Sequence, residues 1–353
     1  MIKRFLSCFF ILFGIALLYS STSRKLMSFF KVAKDNNSWW GEFQLTKGDL
    51  LELSHLDFIH KLNTQPQNNL KEFTHSLIPA KYNLYLLGDS YIWGLNKSNF
   101  DGLTDYHSID FYGINSFHLD TANKNALIIE ISERFIRETM DHNQVTACFY
   151  DSLKGKDSEN GSNNTRSAPG KDHTILDYFS SITLFNKYIN QNLEFNLFTY
   201  NFMLPLFETK AAINYYLFGR ASGDAILSDD ENFLFLKETA VDNGPKSSFS
   251  KITSKEITTI VHNLNALDIY YESCGFSKVY LSIIPNPVTI MQPIGYNNLI
   301  PLIQNDPHLN MPVIDIYSIF KNNHDVYYLP GDTHWNNKGK QLWVDLVNKT
   351  LRN

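Results

Sequence analysis

Three stretches of the chain place an aspartate two residues before a histidine: Asp105-Tyr106-His107, Asp306-Pro307-His308 and Asp332-Thr333-His334. One tripeptide, Gly88-Asp89-Ser90, sets a serine directly after an apolar run. A serine hydroxyl becomes a nucleophile when a histidine takes its proton, and the histidine works when a carboxylate orients its ring. Gly, Asp and Ser are also the ordinary residues of a strand-terminating turn, so Ser90 gains chemical meaning only with a base. Spacing does not choose among the three pairs, but context does. Asp332 follows Tyr328-Leu329-Pro330-Gly331, and His334 precedes Trp335-Asn336-Asn337-Lys338-Gly339 and then a helical pattern over 341–351. That puts Asp332 and His334 on a loop at a helix N-terminus, late in the chain. The other two pairs lie in polar segments and read as turns. The candidate set is Ser90 as nucleophile, His334 as base and Asp332 as its orienting carboxylate.

Such a set needs a scaffold that brings a loop near residue 90 to one near residue 334. Residues 82–87 form a short apolar run closed by the Gly88 turn, which reads as a buried strand. Further strands are predicted at 108–117, at 126–131, rich in branched residues, at 278–284, stopped by Pro285, and at 313–316. Helical patterns fall at 51–62, at 133–140, at 341–351 and, with Ile257, Ile260, Val261, Leu264 and Leu267 on one face, at 255–274. Strands alternating with helices predict an α/β fold, a three-layer sandwich around a mainly parallel sheet. Ligands of open parallel sheets bind at the carboxyl ends of the strands, which is where Ser90 falls.

The remainder of the chain sets compartment and organisation. Met1-Ile2-Lys3-Arg4 precedes a run of strong hydrophobes from Phe5 to Tyr19, interrupted only by small residues, and Arg24-Lys25 follow. Residues 1–25 are thus a signal anchor or a signal peptide, with the body exported in either case. Residues 26–79 form an N-terminal extension, and 80–353 the α/β domain. Within that domain an almost wholly polar stretch at 153–172 reads as a surface loop, followed by a helical insertion reaching to about residue 240. A formal net charge of −5 argues against a nucleic-acid partner. The three cysteines, Cys8, Cys148 and Cys274, have no metal-ligand spacing and leave room for one Cys148–Cys274 bridge. No cofactor is called for.

Three segments together resemble a known family. They are Leu86-Leu87-Gly88-Asp89-Ser90-Tyr91, then Ala126-Leu127-Ile128-Ile129-Glu130-Ile131-Ser132-Glu133-Arg134-Phe135-Ile136, and Val326-Tyr327-Tyr328-Leu329-Pro330-Gly331-Asp332-Thr333-His334-Trp335-Asn336. A Gly-Asp-Ser after the first strand with an Asp/His pair near the C-terminus is similar to the SGNH (GDSL-like) hydrolases. The flavour is closer to the SGNH-like domains of alginate-type polysaccharide O-acetyltransferases. The resemblance runs from about residue 80 to the end, loosely matched in the middle. It departs in two ways. The Asp-x-His-Trp element generally precedes the serine element in the alginate-type proteins and here follows it, as in ordinary SGNH hydrolases. The Gly-x-Asn-Asp element of SGNH hydrolases is missing, and Ser132-Glu133-Arg134 stands in its place.

What the resemblance implies is O-acyl, in particular O-acetyl, transfer to an exported or cell-envelope polysaccharide. Ser90 Oγ would attack the acyl ester, with His334 and Asp332 completing a triad. Backbone amides of Ser90 and Gly113 would face the oxyanion. Arg134 would position an anionic or hydroxylated sugar or pair with Glu130 or Glu133, while Tyr91 and Trp335 would line an acceptor groove or pack around the site. The partners implied are a glycan acceptor and a multi-spanning membrane acyltransferase supplying the acyl group. Two rival readings stand beside this: a carbohydrate esterase using water, and a non-catalytic anchored partner of a membrane acyltransferase.

Overall fold

A computed structural model of the chain describes residues 2–22, 48–56, 69–73, 82–111, 119, 123–140, 192–193, 196–197, 200–221, 223–323 and 325–352. The chain divides into two compact units, one of Met1–Thr46 with Ser162–Arg220 and the other of Lys47–Gly161 with Ala221–Asn353. The polar stretch at 153–172 and Cys148 lie outside the described residues.

In the first unit, helix α1 (Ile2–Thr22) is apolar on every side. Its Lys3–Ser21 stretch has a mean hydropathy of 1.7 and the length to cross a membrane. The side chains of Asn192 and Asn196 donate to the Ser21 carbonyl and hydroxyl at its C-terminal end.

In the second unit, a short helix α2 (Asp49–Ser54) precedes strands β1 (Tyr82–Gly88), β2 (Leu103–Asp110) and β3 (Lys124–Ser132), then helix α3 (Glu133–Thr139). Helix α4 (Leu204–Phe218) belongs to the first unit. A two-stranded hairpin follows, β4 (Ala225–Leu227) and β5 (Leu234–Leu236), where the sequence predicts helical insertion as far as about 240. The hairpin's turn is built by polar side chains: Ser228 Oγ donates to Asp230, and the amides of Asn232 and Phe233 donate to Ser228 Oγ. Helix α5 (Ser254–Ser273), strand β6 (Lys278–Ile284) and helices α6 (Pro287–Met291), α7 (Leu299–Gln304), α8 (Tyr317–Asn322) and α9 (Asn337–Arg352) complete the unit.

The main sheet is parallel throughout, in the order β2-β1-β3-β6. β1 and β3 are buried along nearly their whole length, as strands covered on both faces must be. Their side chains alternate between two cores. Tyr85, Leu87, Leu127, Ile129, Leu281 and Ile283 join Ile260, Leu264 and Leu267 of α5. Leu84, Leu86, Ala126, Ile128 and Ile284 join Trp343, Val344, Val347 and Leu351 of α9. Each such side chain, fully buried, contributes about 1.5–3 kcal/mol of transfer free energy. Trp343 keeps its indole N–H satisfied by donating to Ser282 Oγ at 2.8 Å. Helix α5 starts where Thr253 Oγ1 accepts from Glu256 N.

Two predicted strands differ in the structure. β2 begins at Leu103 rather than at 108 because, at the sheet edge, it needs little apolar surface and carries the exposed Asp105 and the half-buried His107; residues 112–117 of the predicted strand lie outside the described residues. Asp105-Tyr106-His107 is therefore strand, not turn. The strand predicted at 313–316 shrinks to one parallel bridge, Leu281 with Val313, held by Leu281 N to Pro312 O and Ile314 N to Leu281 O. Pro312 has no N–H to offer a ladder, and Asp315 accepts Ser318 N, turning the chain into α8. Cys274 carries a free, exposed thiol, and Cys148, the partner the sequence leaves open for it, lies outside the described residues.

Helix α9 docks closely because residue 339 is glycine. A Cβ there would lie 2.7 Å from Tyr327 O and 3.1 Å from Trp335 Cβ. Gly339→Ala is expected to lower stability by about 1–3 kcal/mol in a urea titration, the usual cost of overpacking. An unchanged midpoint would show that α9 can slide off the 327–335 loop at no cost.

Candidate functional site

The carboxyl ends of β1, β2, β3 and β6 lie together, since the ladders pair Gly88 with Asp110, Leu87 with Ile129 and Ser132 with Ile284. From β1 the chain first builds β2 on one side, then β3 on the other, so the crevice at the end of β1 is the switch point of the sheet. Ser90 sits there.

Each residue of the Gly88-Asp89-Ser90 turn has a local physical reason. A Cβ at Gly88 would collide with the Glu130 carboxylate on the neighbouring strand. Asp89 N donates to that same carboxyl at 3.0 Å. The Asp89 side chain accepts from Tyr91 N at 3.0 Å and from Ser132 Oγ at 2.7 Å, which locks the single 3₁₀ turn Ser90–Ile92. Burial, and then the charge of Asp89, hold the Glu130 carboxyl beneath the turn well above the usual carboxylate range.

Ser90 Oγ lies 2.6 Å from His334 Nε2. His334 Nδ1 lies 2.6 Å from Asp332 Oδ1, which also accepts His334 N at 2.9 Å. With Nδ1 donating to the carboxylate, Nε2 is left to accept the serine proton. Burial alone would raise Asp332, but the hydrogen bond and charge of His334 outweigh it and hold the carboxylate below its ordinary range. The His334 side chain is 28 % exposed, so the relay is open to a substrate. It has the separations of a nucleophile, a base and an orienting carboxylate.

The rival histidines are elsewhere. His107 stacks on Tyr85 at 4.5 Å between ring centroids and pairs with Asp105, well back along β2. His308 pairs with Asp306 in a turn with its side chain 86 % exposed.

Tyr91 and Trp335, expected to line an acceptor groove or pack around the site, are 1 % and 3 % exposed. They do the packing. Tyr91 O–H donates to Thr333 O at 2.5 Å, and its ring meets those of His334 and Trp335. Arg134 is buried in the first turn of α3, with its guanidinium 4.9 Å from the Phe135 ring and its Nε without a hydrogen-bond partner. Neither of the expected ion pairs, to Glu130 or Glu133, is formed; Glu133 instead accepts from Asn286 N and Thr289 Oγ1 at 2.8 and 2.6 Å. Gly113, expected as an oxyanion donor, lies outside the described residues. A polar groove of about 540 Å³ is lined by Gly94, Asn96 and Asn99 from the segment after Ser90 and by Asn337 and Lys340 from the start of α9.

One site residue carries no sequence signal. Asp49, at the start of α2, accepts Thr333 N at 2.8 Å and Thr333 Oγ1 with its other oxygen, and that oxygen is 3.8 Å from His334 Nδ1. Asp49, Asp332 and His334 bring ligand-type atoms within 4.8 Å of one another, but the 2.6 Å contact of His334 with Asp332 is a hydrogen bond, too short for two ligands sharing a cation.

The acid after β3 makes the site's stability depend on pH. Burial pushes Glu133 up to about 7 from its ordinary 4.5, so the folded state binds this proton more tightly than the unfolded chain. Stability from this group is full below the unfolded value and declines as pH rises towards the folded one, by about 3 kcal/mol in all. Glu133→Gln should flatten that decline in urea titrations at about pH 5 and about pH 8. Equal pH dependence in both proteins would show that Glu133 is not held neutral.

Compared with known proteins, the chain matches no family model, no curated protein and no solved structure.

Proposed function

We propose that this chain is a serine-dependent O-acyltransferase of the SGNH type, acting outside the cytoplasm on a glycan and built as a three-layer α/β sandwich. The observation that carries the reading is the unbroken relay from Ser90 Oγ through His334 to Asp332, with both links at 2.6 Å, at the switch point of a parallel sheet. Ser90 attacks the acyl carbonyl while His334 Nε2 takes its proton. Asp332 holds the ring and stabilises the imidazolium, which then protonates the leaving oxygen. The acyl-enzyme is discharged when an acceptor hydroxyl gives its proton to His334 and attacks the same carbonyl, and the imidazolium returns that proton to Ser90 Oγ as the serine ester bond breaks. The Ser90 amide, which meets no acceptor among the described residues, points to one oxyanion donor.

Three further observations support the finer parts. The amide-rich groove between the segment after Ser90 and α9 suits a hydroxylated acceptor. Cores on both faces of the sheet suit the sandwich. The apolar α1 suits a membrane-tethered body, with an acyl group supplied by a multi-spanning membrane acyltransferase. The esterase reading shares the relay, and the partial exposure of His334 lets water compete with the acceptor. The non-catalytic reading has to treat an intact relay as a relic.

The test uses the full chain in detergent, an aryl acetate and a serine-directed fluorophosphonate. Wild type should hydrolyse the ester and be labelled at Ser90, and Ser90→Ala should do neither while staying folded. His334→Ala and Asp332→Asn should each lower kcat by at least about a hundredfold, whereas His107→Ala and His308→Ala should stay within a few-fold. A severe loss in His107→Ala with a mild one in His334→Ala would overturn the relay. Adding glycan acceptors separates transfer from hydrolysis by product. Fractionation of cells should find the chain in membranes with α1 retained; a soluble chain beginning near Arg24 would replace the anchor with a cleaved signal.

A further inference from the structure

We propose that Asp49 is a positioning residue of this relay, holding the loop that carries Asp332 and His334 and setting a second negative charge beside the imidazole. The inference rests on the acyl-transfer reading and deepens it. Thr333, between the orienter and the base, has all its polar groups engaged. Its N–H and hydroxyl both donate to the Asp49 carboxylate, and its carbonyl accepts the Tyr91 phenol. Asp49 N and Leu51 N extend the grip to Asp332 Oδ2 at 3.4 Å and Gly331 O at 3.1 Å. The segment that makes these bonds is itself fixed, because Leu50, Leu51 and Leu56 are buried. Residues 331–334 are therefore clasped by a segment nearly 300 positions away in sequence, with |i−j| of 284 at Thr333.

The second part of the role is electrostatic. His334 Nδ1 faces Asp332 at 2.6 Å and Asp49 at 3.8 Å. The Tyr91 ring stands 5.1 Å from the imidazole, centroid to centroid. Two carboxylates so close repel each other: burial, then the charge of Asp332, raise Asp49 above its ordinary range, while the charge of His334 works the other way. Positive charge arriving between them relieves that repulsion, and it arrives when Ser90 gives up its proton. The two acids together favour the imidazolium formed in the transition state over the neutral ring of the resting enzyme.

Asp49→Asn keeps the shape and an acceptor for Thr333 N–H but removes the charge. With the full chain in detergent and the aryl acetate as probe, kcat should fall about tenfold with KM within about twofold. The acid limb of the rate profile should move to lower pH by about half to one unit, reflecting a partly exposed charge. Asp49→Glu should restore much of the limb. Fluorophosphonate titration counts reactive Ser90 in each variant. Wild-type kcat and limb in Asp49→Asn would overturn the proposal. So would a lower reactive fraction with unchanged turnover per reactive site, which marks a role in folding alone. A wild-type chain inert to both probes would overturn the acyl-transfer reading and this inference with it, so the two failures are told apart by the wild type.

Discussion

The hydrogen bond between Ser90 Oγ and His334 Nε2 joins residues 244 apart in the chain, and the rest of the second unit is arranged so that it can form. A bond of 2.6 Å tolerates little misplacement: a shift of one ångström in either partner would leave neither a base nor a nucleophile. The serine end is fixed by a strand buried on both faces. The histidine end is a loop, and loops at a surface are ordinarily the least constrained parts of a fold. This loop is constrained from every side. Tyr328 pairs with Trp335 across its base, Tyr328 O–H donates to Pro285 O after β6, and Tyr91 and Asp49 hold Thr333 at its tip. The turn after β1 and the exit of β6 thus both contribute a bond to the loop that has to meet Ser90.

The buried aromatics make sense in that light. Tyr91 follows the nucleophile directly, so its ring fills the space under the histidine loop while its hydroxyl reports the position of Ser90's turn to Thr333. Trp335 follows the base and packs edge-on against Tyr91. The residues next to Ser90 and His334 thereby transmit the geometry of one loop to the other.

Much of this was legible in the sequence, for identifiable reasons. β3 and β6 are continuous branched runs, α5 and α9 have clear apolar stripes, and the Asp332/His334 pair was singled out by what flanks it. The start of the edge strand β2 leaves little sequence signal because an edge needs no apolar run, and the β4–β5 hairpin leaves little because its strands are three residues long. Asp49 had no signal at all. A lone aspartate after Gly48 acquires its role only when α2 is laid against residues 331–333, and no local pattern encodes a contact over that separation. Arg134, placed after β3, meets neither of its expected acid partners, although Glu130 and Glu133 each keep one carboxyl oxygen without a hydrogen bond.

Those two acids show what a parallel sheet demands at its functional edge. Where a strand leaves the ladder, its next amide loses its partner, and a buried amide without an acceptor is costly. β3 lies between β1 and β6 and serves both exits: Glu130 accepts Asp89 N beyond β1, and Glu133 accepts Asn286 N beyond β6. A backbone carbonyl could not do this without continuing the strand through the place where Ser90 must stand. A side-chain carboxyl can, and burial raises both of these above the ordinary carboxylate range. Asp332 and Asp49 stand on the Nδ1 side of the imidazole, away from Ser90, where negative charge favours the imidazolium.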